Sequence, residues 1–258
     1  MMIDWTPYFI CLATISAFGL LGWFVSLMRN NVTHVDSMWS LFFVIAALTC
    51  YYLTKESNLR GQVVLVLVSI WALRLFVYLT WRNWGPHEDH RYVQIRQNNE
   101  PHFWLKSIYI IFGLQAVLAW LISMSLFGAF NGGTPINLLD YLGIFLVILG
   151  FFWETIGDLQ LTRFKSNPNN KGKVLNTGLW RYSRHPNYFG EFCIWWGLYL
   201  ISMAAGAWWT LISPILMTVL LLKVSGVSLL ESTIIERRPL YADYIKNTNA
   251  FLPWRPKR

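Results

Sequence analysis

Apolar runs long enough to cross a lipid bilayer recur along this chain and leave few folds open to it. They lie at about Pro7–Met28, Met38–Leu53, Gln62–Trp81, Leu105–Phe127, Leu138–Leu161, Tyr188–Met203 and Trp208–Leu230. A helical span needs about 20 apolar residues, because the hydrocarbon core is about 30 Å thick. The runs do not alternate apolar and polar residues, which excludes a membrane barrel. The pattern predicts an all-α, polytopic membrane helical bundle of about seven transmembrane helices, with residues 1–258 as a single integral-membrane domain. Charge content agrees: 13% of residues are charged, against about 25% in a soluble domain. The first run is too long, and too weakly basic at its start, for a cleaved signal peptide, so it reads as a span. The second and sixth runs are short and are expected to be extended by polar turns.

Charge orients the bundle. Arg82, Arg91, Arg96 and Lys106 fall between the third and fourth runs. Arg163, Lys165, Lys171, Lys173, Arg181 and Arg184 lie between the fifth and sixth, and Arg237, Arg238, Lys246, Arg255, Lys257 and Arg258 in the tail. The connections near Asn131-Gly132-Gly133 and Ala204-Gly206 carry no basic residue. The positive-inside rule puts the basic segments and the C-terminus in the cytoplasm and the N-terminus outside. The net charge of +8 is explained by topology and lipid head groups, so no nucleic-acid partner is expected. Cys11, Cys50 and Cys193 are scattered in apolar segments and suggest neither a disulfide framework nor a thiolate metal site.

The polar residues inside and beside the spans are the candidates for chemistry. From Trp153 to Gly197 the chain carries Glu154 and Asp158 in an apolar run, a basic Asn-rich loop, and then Arg184-His185-Pro186-Asn187-Tyr188-Phe189-Gly190-Glu191. Carboxylates at membrane depth are costly and usually face a protein interior or a wet cavity, so they read as walls of a polar ligand site. Glu191 stands one helical turn after Asn187, on the same face. Arg74, alone in the middle of the third run, needs a partner such as Glu154, Asp158 or a ligand anion. His34 and Asp36 either polarise a ligand carbonyl or belong to a helix start capped by Asp36 or Ser37. His87-Glu88-Asp89-His90 lacks the helical spacing of a zinc-binding pair and reads as a solvated charged surface. The chain has no Gly-x-Gly-x-x-Gly after a strand and no Walker loop, so a nucleotide would have to bind among the spans. The cations from Arg163 to Arg184, with Arg237 and Arg238, suit a phosphorylated cofactor.

The chain resembles the C-terminal domain of the membrane steroid 5-alpha-reductase superfamily, and most closely a bacterial branch of it. The residues that carry the resemblance are Val35-Asp36-Ser37-Met38-Trp39, Leu73-Arg74-Leu75 with Tyr78-Leu79 and Arg82, and Glu88-Asp89-His90-Arg91-Tyr92. They continue through Gly157-Asp158-Leu159-Gln160, Phe164-Lys165, Gly178-Leu179-Trp180-Arg181-Tyr182 and the octapeptide Arg184–Glu191. The resemblance implies a reductase of an inner membrane that holds NADPH in a cytoplasm-facing pocket, mainly within residues 153–258. It would reduce an activated carbon–carbon double bond in a lipophilic small-molecule substrate drawn from among membrane lipids.

Carried over residue by residue, Asn187 and Glu191 match the family's Asn-x-x-Gly-Glu cofactor motif. Asp158 matches an acidic residue on the preceding span, and Lys165 a basic contact. Arg181, Arg184, His185, Tyr188, Arg237 and Arg238 complete the expected cofactor set. The family's Gln-Glu pair and its Tyr, which polarise the substrate ketone, correspond to Val35-Asp36 and Trp71. Indole cannot donate a phenolic proton, but Tyr78 lies two turns on, near the same face. Asp36, Tyr78 and Glu191 are therefore the expected catalytic residues. Membrane methyltransferases that use S-adenosylmethionine on isoprenylcysteine or phospholipid amines share an Arg-His-Pro-x-Tyr-x-Gly segment and a tail with Tyr-x-x-Tyr and a late Pro. This chain has Tyr241-Ala-Asp-Tyr244 and Pro253, so methyl transfer is the alternative, with a non-catalytic lipid-binding protein as the third reading.

Overall fold

The computed structural model describes residues 3–54, 59–224 and 239–256. Among them the elements are α1 (Thr6–Arg29), α2 (Val35–Leu53), α3 (Leu59–Arg82), α4 (His90–Asn99), α5 (Phe103–Phe130), α6 (Leu138–Ser166), α7 (Pro186–Ala204), α8 (Trp208–Lys223) and α9 (Tyr241–Asn247). The described residues contain no strand. The protein is a polytopic helical membrane bundle. α1, α2, α3, α5 and α6 are each long and apolar enough to cross a membrane. α7 has 19 residues, and α8 is a shorter apolar helix whose expected continuation to Leu230 lies outside the described residues.

The short second and sixth runs do extend into polar flanks, beginning at Val35 and Pro186. Two helices had no counterpart in the apolar pattern: α4 and α9 are short and polar, and hydropathy alone does not mark them. α5 is not uniform, because Ile108–Gly113 winds as a π-helix within it.

The chain forms two compact units, one of residues 1–136 and 202–210, the other of residues 137–201 and 211–258. In the first unit α1, α2 and α3 bury Cys11, Ile15, Phe42, Phe43, Ala46, Val64, Val68 and Trp71. Their opposite faces carry Phe9, Leu21, Phe24, Val66, Ile70 and Val77, all exposed. A helix that is apolar all round is one whose outer face meets lipid rather than water. Arg60 at the start of α3 is nevertheless buried. Its guanidinium donates to the carbonyls of Thr134 and Pro135, at 3.0 Å each, and pins the connection after α5.

The second unit is organised by glycines. Gly143, Gly150 and Gly157 recur every seven residues along α6 and face Gly197, Gly190 and Asn187 of α7. A methyl group on Gly143 would lie 2.6 Å from the carbonyl oxygen of Gly197, and one on Gly150 would lie 2.5 Å from that of Gly190. Lipid tails are as apolar as leucine, so membrane helices gain little from burying large side chains against each other. They gain from close backbone approach, which small residues allow.

That spacing fixes where the carboxylates go. Glu154 lies four residues after Gly150 and Asp158 one after Gly157, so both occupy the seam and are buried.

Alanine normally stabilises a helix over glycine by about 0.5–1 kcal/mol. Here the methyl overlaps backbone, and overpacking costs about 1–3 kcal/mol. Gly150→Ala and Gly190→Ala are therefore expected to lower the thermal midpoint in detergent. A rise in the midpoint for both would mean that α6 and α7 are not in backbone contact.

Candidate functional site

The octapeptide Arg184–Glu191 folds as a turn entering α7, and α6 lies against it. Asn187 donates from Nδ2 to Oδ1 of Asp158 at 3.3 Å, so the motif residue and the acidic residue of the preceding span do meet. Glu191 follows one turn along α7, half-buried. His185 and Tyr188 stack, with ring centroids 5.5 Å apart and planes 7° from parallel.

The turn before α7 is built on α6 and on the tail. Gly178, at φ +59°, has no room for a side chain beside Gln160. The Gln160 side chain accepts from the Leu179 N–H at 2.9 Å, and the Trp180 indole donates to the Gly157 carbonyl at 3.0 Å. The tail closes over the turn: Tyr244 donates its hydroxyl proton to the Trp180 carbonyl, and Ser183 donates to Phe251 O at 2.8 Å. Arg184, predicted as a cofactor cation, is buried and serves this closure. Its Nη1 donates to the carbonyls of Thr248 at 2.6 Å and Ile245 at 3.1 Å, and its own N–H donates to Asn249 O.

Beside this turn lies a cavity of about 470 Å³, lined by Lys173, Asn176, Arg181, Asp243, Asn247 and Thr248 among others. That volume falls within the usual range of ligand clefts, about 300–1,000 Å³. Arg181 is the member of the expected cofactor set on its wall; Asp158, Asn187 and Glu191 do not line it. Lys165 is exposed at the end of α6. Arg237 and Arg238 lie outside the described residues. Two cations and four amide or hydroxyl side chains outweigh the one carboxylate, Asp243, on this wall and suit a phosphate ester, so the residues present fit the phosphorylated part of a nucleotide. Lys173 belongs to the loop cations expected to meet a phosphate, whereas Asn176 and Tyr244 were not among the predicted residues, and only the fold brings them to this wall.

The first unit holds a second polar cluster, which engages Asp36 and part of the His87–His90 segment. Within His87–His90 the two histidines are exposed, as a solvated surface requires, but Glu88 and Asp89 are turned into the protein. Glu88 accepts from Arg96 through both oxygens, at 2.8 and 2.9 Å, and from the Val32 N–H at 2.9 Å. Asp89 caps α4 at Arg91 N, and its own N–H donates to Thr33 Oγ1 at 2.8 Å. Among the described residues no group of three or more potential ligands could hold a metal ion. Asp36 is engaged as an acceptor: Arg91 donates to Oδ2 at 2.6 Å and Tyr92 to Oδ1 at 2.6 Å. The segments around residues 35 and 90, far apart in sequence, are thus two halves of one clamp between the α1–α2 turn and α4. Tyr78 has the guanidinium groups of Arg74 and Arg82 near its ring, 5.4 and 5.6 Å from the centroid.

The clamp shifts its own ionisations. Burial pushes the Glu88 carboxyl up, but the Arg96 fork and the Val32 N–H outweigh it and hold the group below its ordinary value. Asp89 is held low in the same way against burial, by Arg91. Burial and then the Asp36 charge push the Tyr92 phenol well up. Burial lowers the His34 imidazole; the Gly22 carbonyl opposes this, Arg29 adds to it, and the Asn31 carbonyl opposes it again.

Residues 22–248 match the family described as "Protein of unknown function (DUF1295)". The chain belongs to this family. The matched region takes in both the clamp and the α6–α7 seam. The chain is also 24% identical to the uncharacterized protein C594.04c of Schizosaccharomyces pombe over 279 aligned positions, covering 96% of this chain and 80% of the yeast protein. No solved structure matches the chain.

A carboxylate whose folded pKa is depressed adds stability that is complete above its unfolded value, about 4.3 for glutamate. That stability is lost as pH falls through the lower folded value. Glu88→Gln is expected to cost about 1–3 kcal/mol at pH 7, the range of charge-assisted hydrogen bonds. The gap to the parent should close as pH drops below about 4. Thermal melts in detergent across pH 3–7 measure it, and a gap that does not vary with pH would remove the charge from the explanation.

Proposed function

We propose that this member of the DUF1295 family is an NADPH-dependent membrane reductase that transfers hydride to an activated carbon–carbon double bond in a hydrophobic, steroid- or isoprenoid-like substrate. The observation that carries the reading is the hydrogen bond from Asn187 to Asp158 where α6 meets α7 at the glycine seam, with Glu191 one helical turn beyond Asn187. It is joined by the resemblance of Asn187-x-x-Gly190-Glu191 to the cofactor motif of the steroid 5-alpha-reductase superfamily. The matched family is compatible with the reading, and the cationic cavity around Lys173 and Arg181 supports a phosphorylated ligand.

Bound NADPH would supply the hydride. Asp158 takes a proton of the Asn187 amide into a hydrogen bond, which sets the way the amide faces and leaves its Oδ1 as the acceptor for a ligand carboxamide. Glu191, on the same face one turn on, adds a second acceptor. Arg181 and Lys173 would hold phosphate. Tyr78 is the hydroxyl we assign to the substrate carbonyl, where a donor stabilises the charge that builds on oxygen. Asp36 has no part in that role, because it accepts from Arg91 and Tyr92. The apolar surroundings of the spans exclude water.

Calorimetric titration of the purified protein with NADPH, NADH and S-adenosylmethionine tests the reading. NADPH is expected to bind about tenfold or more tightly than NADH, because its extra phosphate meets Arg or Lys. Saturable binding of S-adenosylmethionine alone would assign the protein to methyl transfer. Glu191→Gln is expected to weaken NADPH binding about tenfold, with little change in the thermal midpoint without cofactor. A collapsed midpoint with normal binding would make Glu191 scaffold.

We also propose that the chain sits in a bacterial inner membrane with its C-terminus in the cytoplasm, on the charge distribution of its loops. Reporter fusions at Arg258 and within residues 131–134 should report opposite sides; the same side for both would break the span count.

A further inference from the structure

Scattered along the chain, the cysteines carry no pairing signal in their spacing, but the fold brings two of them together. Cys11 lies five residues into α1, which starts at Thr6, and Cys50 three residues before the end of α2 at Leu53. Their Sγ atoms are 3.3 Å apart. Both are free thiols, and both are fully shielded from solvent. Cys11 Sγ donates to the Ala46 carbonyl at 3.5 Å, so the proton between the two sulfurs comes from Cys50. Cys193, also a free thiol, is on α7 in the other unit.

The register that sets the two sulfurs face to face does not depend on them. The Oγ1 atoms of Thr14 and Thr49 lie 3.1 Å apart and form a second polar contact between the same two helices. Ala46 and Ala47, both buried on α2, are small enough to let the helices approach closely. A buried thiol most often serves as a small apolar core side chain. Two thiols already in contact can do something else. A disulfide places its sulfurs about 2.0 Å apart, so closing this pair takes a movement on the order of 1 Å.

The compartment decides whether such a pair stays reduced. The charge distribution of the loops puts the N-terminus outside the cytoplasm, and Cys11 lies near that end of α1. α2 runs back across the membrane to the same side, where Cys50 lies near its far end.

We propose that Cys11 and Cys50 are a disulfide-forming pair that ties the outer ends of α1 and α2, closed by exchange with the disulfide of a thiol oxidant in the outer compartment. The pairing rests on the geometry of the first unit alone, and its oxidation in the cell rests on the orientation proposed above. Burial puts the folded sulfurs beyond the reach of an oxidant protein, so the exchange belongs to the stage at which α1 and α2 come together. One cysteine thiolate attacks a sulfur of the oxidant's disulfide, giving a mixed disulfide and releasing one oxidant thiol. The second cysteine then attacks the first one's sulfur and releases the other oxidant thiol. The pair loses two protons and two electrons, and the oxidant gains both.

The test uses the full-length chain expressed in a bacterial inner membrane. Thiols are trapped in acid, alkylated with a maleimide after denaturation, and mapped by mass spectrometry with and without prior reduction. The expected result is alkylation at Cys193 only, a Cys11–Cys50 linked peptide, and two further adducts after reduction. Cys193→Ala should keep the linked peptide, and Cys11→Ala should be alkylated at Cys50. In a second arm the reduced, folded protein in detergent is treated with copper phenanthroline, an apolar complex that passes the two electrons to oxygen. Linkage in this arm but not in the cell supports the pair and counts against the orientation. No linkage in either arm, or linkage that runs through Cys193, overturns the proposal and leaves two core thiols. The decisive measurement is made on the parent chain, so it does not depend on how well any variant folds.

Discussion

In a bilayer, helices meet the same apolar surroundings whether they face lipid or one another, so what joins them is close contact and satisfied polar groups. The second unit is a consequence of that constraint. Glycines at seven-residue spacing bring α6 against the backbone of α7, and the carboxylates of Glu154 and Asp158 are carried into the same seam. From there Asp158 meets Asn187, Gln160 receives the Leu179 N–H, and the Gly157 carbonyl receives the Trp180 indole. The octapeptide at the head of α7 is shaped by what α6 presents to it.

The tail makes that arrangement durable. Arg184 has two main-chain carbonyls on one nitrogen, and Tyr244 and Ser183 link the turn to segments more than 60 residues away. These are neutral or singly charged hydrogen bonds to backbone, largely shielded from solvent, so salt does little to them. The cationic wall beside them is different in kind. Arg181 and Lys173 line a cavity open to solvent, where positive charge attracts an anionic ligand.

The first unit solves another problem with ionic means. Its membrane helices emerge into a polar layer where α4 has too few apolar residues to be held by burial alone. Glu88, Asp89 and Asp36 with Arg96, Arg91 and Tyr92 supply the attachment. The fork between Arg96 and Glu88 uses both carboxylate oxygens, the geometry in which such a pair is strongest, and Arg96 also lies 4.4 Å from the Phe103 ring centroid. An attachment of this kind is sensitive to acid.

Sequence by itself determined the class, because a bilayer reads apolar run length almost directly: α1, α2, α3, α5 and α6 begin and end close to the runs that forecast them. It also placed Asn187 and Glu191 on one helical face, since 3.6-residue periodicity is a local property. Partnership was decided only in three dimensions. Nothing in the order of residues says that Asp36 meets Arg91 and Tyr92, that Arg184 serves the tail, or that Glu88 answers Arg96 and Val32 rather than water. A charge pattern gives the sign of a side chain, not its neighbour. The seven-residue glycine spacing took its meaning only from the matching glycines on α7 and the turn that sets the two helices in register. Hydrogen bonds are short and directional, so the fold had to fix distances between residues dozens of positions apart before any of these roles existed.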